Sequence, residues 1–397
     1  MNFVFVSPHF PDSYYRFCRG LKNNGVNVLG IADVPYDYLP QNVKDSLCDY
    51  YYVHSLENYD EKTRALGYFI SKYGHIDFLE SNNEYWLESD SWLRTDFNIF
   101  TGPKSEDIKY FRYKSLMKEK YKLANVKTAR YHLVENEEDT RAFVKEVGFP
   151  LIVKPDDGVG AGNTHKLKNE ADLDNFLKTK DPHVKFIMEE FIKGELISFD
   201  GVCDSKGRVA FPTHHVFPTP IMDVVNEDKD VFYYTNKEIP QDLYDAGQRV
   251  LLAFGAKSRF YHLEFFRLTE DKKGLGKKGD PLVMEANMRA PGGYTVEVIN
   301  YATSISSYEV YARAMADLIK EEIIPLHRQF SAYIGRRKNS HYVHSVEDIK
   351  NKYFPNVLFH QEVPKGLEDV LGDDALIARF EKEDDVYEFF AYTTKKA

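Results

Sequence analysis

Short apolar runs alternate with stretches of helical period from the start of the chain. Phe3-Val-Phe-Val6 predicts a strand, Tyr14 to Asn23 a helix, Val26-Asn-Val-Leu-Gly-Ile31 a second strand and Ile76-Asp-Phe-Leu-Glu80 a later one. Strands interleaved with helical patterns predict a parallel α/β layout over roughly the first hundred residues. Ligands of such sheets collect beyond the carboxyl ends of the strands, which puts Ser7, His9, Asn82, Asn83 and Glu84 within reach of one.

From about residue 105 the pattern changes. A helix carrying Lys114 leads into an apolar stretch, Val126 to Val134, and a second helix, Asn136 to Val147, ends at Gly148. Leu151-Ile-Val-Lys154 predicts a strand, Pro155-Asp-Asp-Gly-Val-Gly-Ala-Gly162 a glycine-rich tip, and Asn163 to Leu167 the return strand of a hairpin. A helix over Glu170 to Lys178, a strand over Lys185 to Ile192, strand character over Leu196 to Cys203 and Arg208 to Phe217, and a helix over Gln241 to Phe254 follow. Two further apolar strands contain Glu264 and Glu285; the glycines and lysines of Thr269 to Asp280 between them predict an exposed hairpin loop. The last 70 or so residues, rich in Tyr, Phe and Val, predict a small mixed α/β cap.

The chemistry concentrates in those two strands. Residues two apart on a strand share a face, so Glu285, Asn287 and Arg289 present a carboxylate, a carboxamide and a guanidinium on one side, and Phe260-Tyr-His-Leu-Glu-Phe-Phe266 adds Glu264. A charge inside an apolar strand is costly without a partner or a metal; oxygen donors of this kind suit magnesium, whose remaining positions phosphate and water fill. Lys154, at the inner end of its strand and just before Gly158, Gly160 and Gly162, is placed to neutralise phosphates, with loop amides free to approach anionic oxygens. Lys114 is a second phosphate candidate among the basic residues Lys109, Arg112, Lys118 and Lys120, which also read as a solvated face. Met188-Glu-Glu-Phe-Ile-Lys-Gly-Glu195 joins an apolar strand end to carboxylates and a turn, as an adenine hinge requires. His214 and His215 lack a third ligand at zinc spacing, and Cys203 reads as a packed apolar residue.

Composition narrows the classes. With 397 residues, 43% of them hydrophobic, the chain can bury the cores of two or three domains. A net charge of −10 argues against broad nucleic-acid binding. Three scattered cysteines, Cys18, Cys48 and Cys203, form no disulfide framework. No long apolar span or basic-then-apolar leader is seen, so a soluble cytoplasmic protein without a membrane partner is expected.

Taken in order, Lys114, Lys154 with its glycine loop, the Glu-Glu-Phe-Ile hinge, Glu264 and Glu285-x-Asn287-x-Arg289 resemble the ATP-grasp superfamily over about residues 105–320. The flanking regions resemble the layout of its carboxylate-amine ligases, including L-amino-acid ligases. The resemblance implies an α/β chain with an ATP-grasp fold: an N-terminal Rossmann-like domain (1–104), a nucleotide domain of α+β character (105–325, with halves 105–192 and 193–325) and a C-terminal cap (326–397). It implies ATP contacts at Lys114, Lys154, the flap glycines Gly158, Gly160 and Gly162, the hinge residues Glu189, Glu190, Phe191 and Ile192, and Glu195 at the ribose. It implies magnesium, or manganese, at Glu264, Glu285 and Asn287, and a catalytic pair in Lys154 and Arg289, the latter stabilising an acyl phosphate or the tetrahedral species formed from it. Substrate contacts are expected at Glu84, His215, Arg267, Gly292 and Gly293. Two departures from the family stand out: the insert between the metal glutamates, and a flap poor in serine.

The reaction implied joins a small-molecule carboxylate to an amine, most simply amino acids or small peptides, with release of ADP and phosphate; a homodimer is common among similar enzymes. Two alternatives stand beside it. One is a bicarbonate-using carboxylase or carbamoyl-phosphate-forming enzyme, which the lack of a biotin-carrier Met-Lys-Met segment lowers; the other is a non-catalytic ATP-binding module, against which the joint presence of Glu264, Glu285, Asn287 and Arg289 weighs.

Overall fold

The computed structural model describes residues 1–157, 164–219, 224 and 228–397. The N-terminal region alternates β1 (Asn2–Val6), α1 (Tyr15–Asn23), β2 (Asn27–Ala32), α2 (Gln41–Ser46), β3 (Asp49–Tyr52), α3 (Tyr59–Tyr73), β4 (Phe78–Glu80) and α4 (Leu87–Asp96). Its sheet is parallel, in the order β3-β2-β1-β4. Both faces of β1 are buried, as parallel strands require. Val4 and Val6 pack with Leu66 and Phe69 of α3; Phe3 and Phe5 pack with Phe17 of α1 and with residues from much later in the chain, Phe260 and Tyr311 among them.

The next segment carries α5 (Lys114–Leu123), β5 (Tyr131–Leu133), α6 (Glu137–Val147), β6 (Leu151–Pro155), β7 (His165–Leu167), α7 (Glu170–Thr179) and β8 (Phe186–Glu190). The strands form an antiparallel sheet, β5-β8-β6-β7. The hairpin expected from the sequence is present, with Leu151 opposite Leu167. The apolar stretch Val126 to Val134 yields only the short β5, because the chain before it runs along another edge: the amide of Val283 donates to the Lys127 carbonyl at 2.9 Å.

A large antiparallel sheet follows, built from β9 (Gly194–Cys203), β10 (Val209–Phe217), β11 (Val231–Thr235), β12 (Arg259–Leu268) and β13 (Pro281–Asn287), with α8 (Gln241–Phe254) before β12, and α9 (Thr295–Thr303) and α10 (Ser307–Met315) after β13. The C-terminal residues supply β14 (Phe330–Arg336), α11 (Val346–Lys352), β15 (Val357–Glu362), α12 (Glu368–Leu371), β16 (Asp374–Phe380) and α13 (Glu383–Thr393). They do not form a detached cap. The sheet order is β13-β12-β9-β10-β11-β14-β16-β15, and β14 pairs with β11 along its length, Tyr233 opposite Tyr333. Without β14 the edge of β11 would present unpaired backbone groups.

The segment between β12 and β13 is the largely exposed hairpin loop expected of it, with an anchor that the sequence did not announce. Leu275 is buried against Ile192, Leu268 and Leu282, and Lys272 Nζ lies 3.4 Å from both a Glu190 oxygen and the Phe191 carbonyl. The insert is thus fastened to the end of β8.

Candidate active site

Register builds the site. On β12 and β13, Glu264 lies directly opposite Glu285, and His262 opposite Asn287; on the other side of β12, Glu264 faces Ser198 and His262 faces Asp200 of β9. The period-2 alternation of strands therefore collects Ser198, Asp200, His262, Glu264, Glu285 and Asn287 on one face. Two carboxylates set opposite each other repel, and such an arrangement calls for a cation. Part of the answer is lysine: Lys114 Nζ is 3.4 Å from Glu285 Oε1. Burial would raise the Glu264 carboxyl, but the His262 ring, with Arg289 and Lys154 beyond it, holds it below its ordinary range.

Lys114 and Lys154 are brought together by one cap. At the N-terminus of α5 the Ser115 amide and hydroxyl each donate to an Asp156 oxygen at 2.7 Å, and the Lys114 amide donates to the Asp156 carbonyl at 2.8 Å. Asp156 directly follows β6, so the helix start is tied to the end of the strand that carries Lys154. Lys114 is buried and Lys154 largely so, and buried Lys118, one turn on from Lys114, joins them. Glu189 of β8 is held between two ammonium groups, Lys118 at 2.5 Å and Lys154 at 2.8 Å. Its neighbour Glu190 faces the other way, against the Arg130 guanidinium at 2.8 Å. The hinge thus divides its carboxylates: Glu189 belongs with the lysines, Glu190 with Arg130 and Lys272. Phe191 follows, and then Ile192 at the apolar exit of β8, packed with Leu268 and Leu282.

Arg289 lies just past the end of β13 and reaches the N-terminal region. Its guanidinium is ion-paired with Glu84 and donates to the Ala290 carbonyl at 2.9 Å, while its buried Nε has no partner. Arg289 and Glu84, expected at the reaction and at the substrate respectively, are thus brought together. Gly292 has open space where a side chain would stand; Gly293, at φ 59°, adopts a left-handed backbone and closely approaches Leu371. Both lead into α9, where buried Glu297 is 3.2 Å from Arg16 of α1.

Two expected residues are not brought to this face, and a third shares it without being exposed. Arg267 and Glu195 are lateral neighbours, three positions from Glu264 and Ser198 respectively, so they fall on the opposite face; Arg267 pairs with Asp242 of α8 at 2.8 Å, and Glu195 remains exposed. His215 has no exposed surface. Opposite Ser198 on the same face, its ring contacts Asp200 at 2.7 Å and Thr235 at 2.8 Å. Gly158, Gly160 and Gly162 lie outside the described residues.

Sequence reasoning missed Asp200, His262 and Lys118. The signal for His262 was present, a polar residue two positions before Glu264 in an apolar strand; Lys118 follows Lys114 at helical spacing. Among the described residues no group of three or more His, Cys, Asp or Glu side chains is arranged to hold a metal ion. Two carboxylates and an amide leave about half the positions of an octahedral cation to phosphate and water, as suits magnesium beside a nucleotide. No helix among the described residues is long and apolar enough to cross a membrane.

Residues 112–222 match the family of phosphoribosylglycinamide synthetase, ATP-grasp (A) domain. The chain is 27% identical over 248 residues to an L-arginine-specific L-amino acid ligase of Bacillus subtilis, a match covering 60% of this chain and 58% of that enzyme. It is 30% identical over 162 residues to a phosphoribosylamine–glycine ligase of Clostridium acetobutylicum, covering 38% of each. The aligned part therefore spans less than two thirds of either relative. By fold the likeness extends further: an L-amino acid ligase from Bacillus licheniformis superposes with a TM-score of 0.71 at 15% identity, covering 99% of this chain and 96% of that one. N5-Carboxyaminoimidazole synthetase from Staphylococcus aureus, in complex with ADP, gives a TM-score of 0.70 at 15% identity over 98% and 96% of the two chains.

Proposed function

We propose that this chain, which belongs to the ATP-grasp superfamily, is an ATP-dependent ligase that joins a carboxylate to an amine and releases ADP and phosphate, with amino acids or small peptides as the substrate class. The observation that carries the reading is the register that sets Glu264 opposite Glu285, with Asn287 beside them and Lys114 on Glu285. The relatives named above support it, since two of them are ligases of amino acids or glycine by name.

In this reading Lys114 and Lys154 meet the phosphate charge, and the apolar exit of β8 at Ile192 forms one wall for the adenine. Glu264, Glu285 and Asn287 would hold a divalent cation, magnesium or manganese, whose charge draws electrons from the phosphate oxygens. A carboxylate oxygen of the first substrate attacks the γ-phosphorus, the bond to the bridging oxygen of ADP breaks, and an acyl phosphate forms. Lysine charge lowers the repulsion between two anions that must meet in line. The amine nitrogen then attacks the acyl carbon, phosphate leaves with the electron pair of the C–O bond, and the nitrogen gives up a proton. Arg289, with its fixed planar charge, is placed to stabilise the oxygen that becomes negative in that step.

The test is an incubation with Mg-ATP and pooled amino acids, with ADP and phosphate quantified and adducts identified by mass spectrometry. Phosphate release that needs both a carboxylate and an amine is expected, and chelation of the metal should abolish it. Release that instead follows bicarbonate, or nucleotide binding without turnover, would overturn the proposal.

A further inference from the structure

We propose that His262 is a positioning residue for Glu264: gripped from behind by Asp200, it fixes the rotation of that carboxylate toward the divalent cation of the nucleotide site. The inference rests on the proposed reading of that site and adds to it a row of residues reaching across the sheet.

The row begins on β11. Thr235 Oγ1 is 2.8 Å from His215 Nε2, and His215 Nδ1 is 2.7 Å from Asp200 Oδ2, which also accepts from the Ser198 hydroxyl. The other Asp200 oxygen bonds His262 Nδ1, and His262 Nε2 lies 3.0 Å from Glu264 Oε1. Ser198, Asp200 and His215 have no exposed surface. Each ring nitrogen of His262 faces a carboxylate oxygen, which only accepts; the ring thus donates on both sides and cannot turn without losing a bond. Glu264 is otherwise a side chain with rotatable bonds, placed by register opposite Glu285, and like charge would turn it away from its neighbour. The bond from His262 opposes that turn.

Stability alone is a poor reason for this arrangement. A carboxylate with no exposed surface loses its hydration, and apolar residues in the same places commonly leave a protein as stable or more so. A histidine held by a carboxylate, with its second nitrogen on the side chain to be aimed, has a clear geometric effect: it holds a ligand oxygen in one orientation. The row ends on a candidate metal ligand, which is where such an effect matters.

The experiment compares wild type with His262→Ala, His262→Gln and Asp200→Asn. Manganese binding in the presence of ADP is read from the EPR signal of free Mn²⁺, and ADP binding in EDTA from calorimetry. His262→Ala is expected to weaken manganese binding roughly tenfold or more while changing metal-free ADP affinity by less than about twofold. His262→Gln, whose amide can still donate to Glu264, should recover most of the loss, and Asp200→Asn should fall between the two. Should His262→Ala fail to fold, as judged by circular dichroism, the other two variants decide the matter on the same readings. Unchanged manganese binding in the folded variants, or equal loss of ADP affinity with and without metal, overturns the positioning role. A wild type that binds ADP but no manganese overturns the reading of the metal site, and this inference with it.

Discussion

Glu189 accepts two ammonium groups, Lys118 and Lys154, in a pocket that leaves it 6% exposed. Burial alone would raise this carboxyl, but the two lysines outweigh it and bring it from 4.5 down to about 2. A depressed carboxyl contributes stability that is fully present above its unfolded value and is lost as pH falls through its folded value. The window is therefore pH 4.5 down to about 2. Burial draws Lys118 below its usual value, which offsets part of the gain, so a net contribution of about 2 kcal/mol is the size to expect. Urea unfolding of the wild type should thus weaken across that window more steeply than that of Glu189→Gln. At pH 7 the same variant, leaving two buried ammonium groups short of a counter-charge, should be less stable by about 3 kcal/mol. Parallel pH curves for the two proteins would remove Glu189 from this role. Lys118 also shows the limit of reading residues singly. Glu264, Glu285, Asn287 and Arg289 were legible because alternation along a strand is a local rule. Lys118 showed its helical spacing from Lys114 but not its partner Glu189, 71 residues away, and Asp200 showed nothing, its partner His262 lying 62 residues away.

At the scale of elements, helix and strand periods carried most of the fold, and composition gave the exposure of a loop but not its anchor. The helix expected at Gln241 to Phe254 has those ends, and the β6–β7 hairpin pairs as anticipated. The insert between β12 and β13 is largely exposed, as its lysines and glycines predict. Its one large apolar residue, Leu275, closes a small cluster with Ile192, Leu268 and Leu282, and a single leucine among charged residues has no periodicity to reveal it. Leu275→Ala should cost about 2 kcal/mol, the low end for a buried leucine in a cluster this small. Loosening the exit of β8 should also raise KM for ATP several-fold with kcat little changed. Lys272→Ala should move KM in the same direction but cost less than about 1 kcal/mol, since its ion pair with Glu190 is partly solvated. Denaturation curves alongside ATP titrations check both, and an unaltered KM in each variant would sink the coupling of insert to hinge.

At the scale of the whole molecule, the N-terminal region is joined to the region of β12 and β13 by pairs that the sequence separates by 179 residues or more. Phe17 of α1 packs with the rings of Phe260, Tyr308 and Tyr311. Arg16 meets Glu297, Glu84 meets Arg289, and Glu80 at the end of β4 takes Arg94 at 2.8 Å and Arg259 of β12 at 2.6 Å. The C-terminal strands are equally integral. A Cβ at Gly335 of β14 would stand 1.9 Å from the Leu371 carbonyl, and removal of residues 326–397 would bare the whole edge of β11. That truncation should give an aggregating product instead of a smaller active enzyme, which size-exclusion chromatography of the expressed fragment decides. Arg259 allows the sharper test. Its guanidinium bonds both Glu80 and the Met288 carbonyl, 3.0 Å away and adjacent to Arg289. Arg259→Met leaves a Glu80 oxygen and that carbonyl buried without this partner, at a cost of about 3 to 5 kcal/mol. Removing the charge on both sides should hurt less than the sum, so the double variant Glu80→Gln with Arg259→Met should be more stable than additivity allows. If the end of β13 aims Arg289, Arg259→Met will also lower kcat/KM for the joined substrates while ADP affinity stays near wild type. Additive stabilities together with an unaltered kcat/KM would mean that the N-terminal region merely rests against the site.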